Sequence, residues 1–167
     1  MIKLNVAEIK KRLVGKKDFR FELKPEELEL TKNELPLTGL VYVEGNIANA
    51  GDVLLLSAKL TGNVKRICAR CLKQFTAETK AEILEKYFPT GAEDIEDCSF
   101  TYEFDVVDIT DALREGLLVA EPLHVLCEAE CRGLCPVCGG DRNIAPCSCE
   151  TATVDPRLIA LQQLLKK

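Results

Sequence analysis

Nine cysteines in 167 residues are the side chains most able to do chemistry here: Cys68, Cys71, Cys98, Cys127, Cys131, Cys135, Cys138, Cys147 and Cys149. Eight of them form close pairs: Cys68-x-x-Cys71, Cys127-x-x-x-Cys131, Cys135-x-x-Cys138 and Cys147-x-Cys149. A short spacer lets two sulfurs face one ion, the geometry of a metal knuckle. Disulfides are the bland alternative. They are rare in reducing compartments, and an odd count behind an N-terminus without a secretory pattern argues against a framework of them. A third option, an iron–sulfur cluster on Cys131-x-x-x-Cys135-x-x-Cys138, needs a larger α/β domain, and no βαβ series precedes it.

Eight thiolates make two Cys₄ sites. The most local division places Cys135, Cys138, Cys147 and Cys149 together across an eight-residue loop. Cys68, Cys71, Cys127 and Cys131 remain for a second site whose pairs are separated by 55 residues. Closing so long a loop removes substantial chain entropy. With all four positions taken by sulfur, neither site keeps the open position that a catalytic zinc needs for water, so both ions are expected to be structural zinc. His124 and Cys98 are expected to lie outside the ligand sets. Two Cys₄–zinc sites take the formal net charge from −5 to about −9.

Composition narrows the chemistry further. The chain has one His, no Trp, no Gly-x-Gly-x-x-Gly and no Walker-type loop, which disfavours a Ser-His-Asp hydrolase and the common nucleotide-binding folds. No enzyme and no small-molecule substrate are expected. An apolar fraction of 47% with 29% charged residues is that of a globular protein. No run approaches the roughly 18 apolar residues of a membrane span, so a cytoplasmic protein is expected.

The elements that must hold these cysteines read mainly as strands. Phe19–Leu23 alternates, and Glu26–Leu30 suggests a turn followed by a further extended piece. Leu40–Ile47 and Val53–Cys68 form a long-armed hairpin about Asn49–Asp52, with Cys68 at its far end. Residues 75–88 alternate again, with a helix from Ala81 onward as the competing reading; residues 100–107 alternate once more. Asp108 or Thr110 can cap a helix that ends before Pro122, and Asp155-Pro156 starts a final helix. The expected fold is α+β in a single domain. An antiparallel sheet over residues ~19–107, barrel-like as one option, is flanked by helices within residues 1–121, and 122–167 form the zinc-binding segment.

Charge is segregated. Residues 1–21 hold seven Lys/Arg against two acids, and 53–77 hold five bases and no acid, whereas 78–121 hold thirteen acids against three bases. Solvated faces explain most such runs. The functional reading is a basic patch of Lys65, Arg66, Arg70 and Lys73 around the first knuckle, able to meet RNA phosphates although the summed field opposes it.

Cys68-Ala69-Arg70-Cys71-Leu72, Pro122, then Cys127-x-x-x-Cys131-Arg132-Gly133-Leu134-Cys135-Pro136-Val137-Cys138-Gly139 and Cys147-x-Cys149 resemble the YceD family of large ribosomal RNA subunit accumulation proteins. The resemblance runs from about residue 35 onward. The family's usual Gly-x-Asn-Leu-Asn continuation is Gly139-Gly140-Asp141-Arg142-Asn143 here, so of its Asn-Leu-Asn only the last Asn agrees. The resemblance implies a non-enzymatic factor for accumulation or processing of large-subunit (23S) rRNA, partnered by that RNA or by a large-subunit ribosomal protein. A zinc-ribbon docking or transcription-associated module, and a thiol redox protein, are the competing classes.

Overall fold

The computed structural model describes residues 1–12, 14–92 and 99–149. The final helix expected from Asp155, the acidic run Glu93, Asp94, Glu96 and Asp97, and Cys98 lie outside the described residues. The chain divides into two compact units. One comprises Met1–Arg66 and Phe75–Leu123; the other comprises Ile67–Gln74 and His124–Lys167.

The first unit, with the last residue of β4 and the first of β5 falling in the second, runs β1 (Lys3–Asn5), α1 (Ala7–Lys10), β2 (Lys16–Leu23), a 3₁₀ turn (Pro25–Leu28), β3 (Leu37–Asn49) and β4 (Leu54–Ile67). It continues with β5 (Gln74–Pro89), β6 (Phe100–Tyr102), β7 (Val106–Asp108) and α2 (Thr110–Val119). Period-two patterning decides the strands. Leu54, Leu56, Ala58 and Leu60 of β4 are all buried on one face, opposite Val41, Val43 and Ile47 of β3 in the same core. The hairpin between them closes because the Asn49 side-chain oxygen accepts from the Gly51 N–H at 3.0 Å, a local turn that Asn favours. The pairing runs from Asn49 opposite Leu54 to Leu37 opposite Val64, with a bulge between Thr38 and Tyr42.

Residues 75–88 form the expected strand, and the competing helix from Ala81 does not form, because Thr79, Ala81, Ile83 and Tyr87 alternate into the core. Two expectations change. Residues 25–28 are a 3₁₀ turn, not an extended piece: Pro25 presets the first position, Glu27 accepts from the Lys24 N–H at 2.8 Å, and Leu28 is fully buried. The sheet, finally, is no barrel. Its five strands run β2-β3-β4-β5-β6, with β2 and β6 outermost among the described residues, and β1 pairs with β7 in a separate two-stranded sheet. Closure would need β6 to reach β2. Only three residues of β6 pair, parallel to β5, and after Phe104 the chain leaves to pair with β1. Sheets with few helices thus make an α+β unit of mixed strand direction.

Helix α2 starts where Asp108 accepts from both the Thr110 N–H (3.0 Å) and its hydroxyl (2.6 Å). Ala112, Leu113 and Leu117 face the core. None of the described helices is long and apolar enough to cross a membrane.

Candidate metal centre

Among the described residues, the second unit has almost no regular structure; turns around cysteine organise it. The first knuckle begins as β4 ends. The Cys68 N–H donates to the Lys73 carbonyl at 2.9 Å, and the Leu72 N–H donates to the Cys68 carbonyl at 3.0 Å. The second knuckle repeats this pattern at the same offsets: the Cys135 N–H donates to the Gly140 carbonyl (2.8 Å) and the Gly139 N–H to the Cys135 carbonyl (2.9 Å). A C-x-x-C turn therefore closes on itself, with both sulfurs on its concave side and N–H groups left to face them.

The first knuckle then pairs with the Cys127–Cys131 segment. The Ala69 N–H donates to the Val125 carbonyl at 2.9 Å, and the Leu134 N–H donates to the Arg70 carbonyl at 3.0 Å. Gly133 makes this approach feasible. It has φ +70°, and a Cβ there would lie 2.9 Å from the Arg70 carbonyl oxygen. Arg70 adds a hydrogen bond of 2.8 Å from its guanidinium to the Cys131 carbonyl.

These contacts gather the eight cysteines into two groups, Cys68, Cys71, Cys127 and Cys131, and Cys135, Cys138, Cys147 and Cys149, with sulfurs within 4.8 Å of one another in each. The division coincides with the one expected from chain proximity. In the first group the Cys68 and Cys131 sulfurs are 3.7 Å apart and those of Cys71 and Cys127 3.6 Å. That is well beyond an S–S bond of ~2.05 Å. It matches the ~3.8 Å edge of a tetrahedron whose metal–sulfur bonds are ~2.3 Å. Three cysteines of the first group are buried and Cys127 is half-buried; in the second, Cys135 is buried while Cys138 and Cys147 are exposed.

Electrostatics show why a cation belongs here. Burial pushes the Cys68 thiol up, but backbone N–H groups of Cys71, Cys127 and Arg70 outweigh it and draw it down to about 6. Cys127 goes the other way, to about 12, through burial and the neighbouring sulfurs of Cys71, Cys68 and Cys131. The second group repeats the split. N–H groups of Cys138 and Val137 lower Cys135 to about 6, whereas the Cys138 sulfur and then burial raise Cys149 to about 12. One thiolate per group is stabilised by N–H dipoles, and its charge opposes ionisation of the others. A divalent cation at the centre removes that opposition. Both groups could hold a metal ion.

Asn143 is a site residue the sequence reading passed over. Its amide nitrogen donates to the Cys131 sulfur at 3.5 Å and its carbonyl oxygen accepts from the Arg132 N–H at 2.7 Å. Asp141 steadies it by accepting from its side-chain nitrogen at 2.8 Å. A residue in the loop of the second group thus supports a sulfur of the first. The signal was present: after Gly139, Asn143 is the position of that loop agreeing with the family pattern. His124 is exposed and belongs to neither group.

The four basic residues expected at RNA are placed differently. Lys65, Arg70 and Lys73 are exposed, with Arg70 spending one nitrogen on Cys131. The Arg66 guanidinium is engaged by Glu121 through two parallel hydrogen bonds of 2.7 and 2.8 Å, with only 9% of its side chain exposed. Such a bidentate pair leaves little of the fork for phosphate. Sequence proximity to a knuckle could not show this, because Glu121 lies 55 positions away.

Comparison with known proteins agrees with the cysteine pattern. The family model described as "Large ribosomal RNA subunit accumulation protein YceD" matches residues 56–165, a span holding all eight paired cysteines. The chain is 29% identical over 156 residues to "Uncharacterized protein YlbN" of Bacillus subtilis (strain 168), covering 91% of each chain. No solved structure matches.

Proposed function

Because the chain belongs to the YceD family of large ribosomal RNA subunit accumulation proteins, we propose that it is a non-enzymatic factor supporting accumulation or processing of large-subunit (23S) rRNA. The observation that carries this reading is the family match across the whole cysteine unit, residues 56–165. In this reading each cysteine group holds one zinc ion. Four soft thiolates at tetrahedral spacing suit zinc, and with every position taken by sulfur the metal supplies rigidity instead of a bound water. The ligands are Cys68, Cys71, Cys127 and Cys131 for one ion, and Cys135, Cys138, Cys147 and Cys149 for the other. The protein works in the cytoplasm on large-subunit precursors, meeting their rRNA or one of their proteins. Lys65, Arg70 and Lys73 are the bases free to meet phosphate, with Arg66 reserved for Glu121.

Depletion of the protein in cells, followed by sedimentation and rRNA quantification, tests this. The expected outcome is a lowered ratio of large-subunit to small-subunit rRNA, with the tagged chain co-migrating with pre-large-subunit particles. An unchanged ratio, with the chain migrating only as free protein, would overturn the reading. Native mass spectrometry of the same protein should show two zinc ions; one ion, or iron, would overturn the metal assignment.

A further inference from the structure

A groove of about 360 Å³ in the first unit lies between β5 and α2. Its lining comprises four consecutive strand residues, 82–85, together with Glu115, Gly116, Val119 and Ala120 of the helix. Successive side chains of a strand point to opposite faces, so four in a row line one groove at the strand's edge. That edge is open. β4 flanks one side of β5, and on the other β6 pairs only with Tyr87–Pro89. Among the described residues, no strand pairs with residues 82–85 on that side. An open edge offers N–H and C=O groups to an incoming extended chain.

The helix is set for this. A Cβ on Gly116 would lie 2.5 Å from Ile83 Cγ1, so the close approach of α2 to β5 requires glycine there. Two apolar side chains of the lining are left in water: Leu84 is 75% exposed and Val119 85%. Every charged residue of the lining is a glutamate: Glu82, Glu85 and Glu115. Among the described residues, only Glu82 of the three has an ion-pair partner, Lys59 at 2.9 Å. The negative field reaches the buried Tyr87 hydroxyl, which burial and then the Asp108, Glu85, Asp111 and Glu115 carboxylates hold in its neutral form.

We infer that this groove takes an extended, cationic segment of a basic protein, added as a strand to the open edge of β5 with its side chains alternating between the Leu84 face and the Val119 face. The three carboxylates select Lys or Arg on the incoming segment and repel phosphate, which makes the partner a protein and not RNA. The narrower identification, a basic protein of the large-subunit particle, rests on the function proposed above.

Calorimetric titration of the full, metal-loaded chain tests this with three probes. These are 15-residue peptides tiling the basic tails of large-subunit ribosomal proteins, a ten-residue peptide alternating Lys and Val, and a large-subunit rRNA transcript. At least one ribosomal peptide and the alternating peptide are expected to bind. Both should weaken at least tenfold in the Leu84→Ser/Val119→Ser variant and again in Glu115→Lys, all exposed positions. Amide exchange at residues 82–85 should slow in the complex, and rRNA affinity should be unmoved by the same substitutions. Peptide binding indifferent to the groove variants, or no peptide binding, would overturn the inference; so would loss of rRNA binding alone. If only the alternating peptide binds in a groove-dependent way, the groove stands and the ribosomal identification falls. If the unaltered chain and the groove variants sediment alike with pre-large-subunit particles, the ribosome role stands and docking through this groove does not.

Discussion

The two C-x-x-C knuckles share one hydrogen-bond pattern yet differ in what surrounds them. Cys135–Gly140 uses glycine, Gly139 at φ +71°, at the left-handed position that ends the turn; Cys68–Lys73 places Leu72 there at φ +61°. The first knuckle joins sulfurs 56 positions away, Cys71 to Cys127, whereas the second closes with Cys147 and Cys149 only nine and eleven positions beyond Cys138. The first group is largely buried and the second is half in solvent. The turn itself is therefore a local object that tolerates either setting. What its metal does for stability depends on how much chain the metal closes. By loop-closure entropy alone, the longer loop is worth roughly 1.6 kcal/mol more than the shorter one.

The largest expected effect follows from that difference. Cys68→Ser or Cys71→Ser should each remove one metal ion and lower the stability of the second unit by several kcal/mol, on the scale of a lost structural zinc site. Cys147→Ser should also remove one ion but cost ~1.6 kcal/mol less. Thermal unfolding with metal counted by native mass spectrometry checks this, and equal losses in the two classes would break the comparison. The same contrast predicts two phases of release to a colorimetric chelator. The exposed Cys138 and Cys147 side should empty first, and Cys147→Ser should remove the fast phase alone.

A smaller effect is expected from exchanging the residues that end the turns. A non-glycine residue in the left-handed region costs about 1–2 kcal/mol, so Gly139→Ala should destabilise by about 1 kcal/mol. Leu72→Gly should stabilise by up to ~1 kcal/mol, since Leu72 is 64% exposed and gives up little packing. If Leu72→Gly instead weakens the protein, the exposed leucine has a contact that turn geometry does not reveal.

The smallest effect lies in the first unit and serves as the metal-free control. Hydrogen bonds from the Thr31 backbone N–H, the Thr31 hydroxyl and the Arg114 guanidinium hold the Glu34 carboxyl at about 2, below its ordinary 4.5. A depressed folded-state pKa contributes stability that is fully present above the unfolded value and is lost as pH falls through the folded one. The first unit should therefore lose a little stability between about pH 4.5 and pH 2, and Glu34→Gln should flatten that slope. The group is exposed, so the change should be a modest shift in melting temperature. A slope unaltered by the substitution would show that other carboxylates carry it.

Much of the site was legible because it is local. Two cysteines two or three residues apart can share an ion only through a knuckle turn, whatever the rest of the chain does, and the glycine after Cys138 marks where that turn ends. The strands were legible for a similar reason: Leu54, Leu56, Ala58 and Leu60 alternate, and alternation has one stable outcome beside another apolar strand. Residues 81–89 were ambiguous because Ala81, Glu82, Leu84 and Glu85 also suit a helix. Only the core waiting for Ile83 and Tyr87 made them strand.

By itself, then, the sequence determined the ligand type, the knuckle turns and the amphipathic period of β4 and β5, each set by interactions within a few residues. The tertiary structure alone decided what depends on distant partners. Arg66 went to Glu121 because the fold brings a carboxylate to the end of β4, turning an apparent phosphate-binding base into an internal ion pair. The sheet stayed open because β6 is short and β7 found β1. Asn143 reached the Cys131 sulfur because the turn at Asp141 aims it there. Charge and residue type are properties of the chain, but whether a charge faces water, a partner or another side chain is settled only when long-range contacts compete for it.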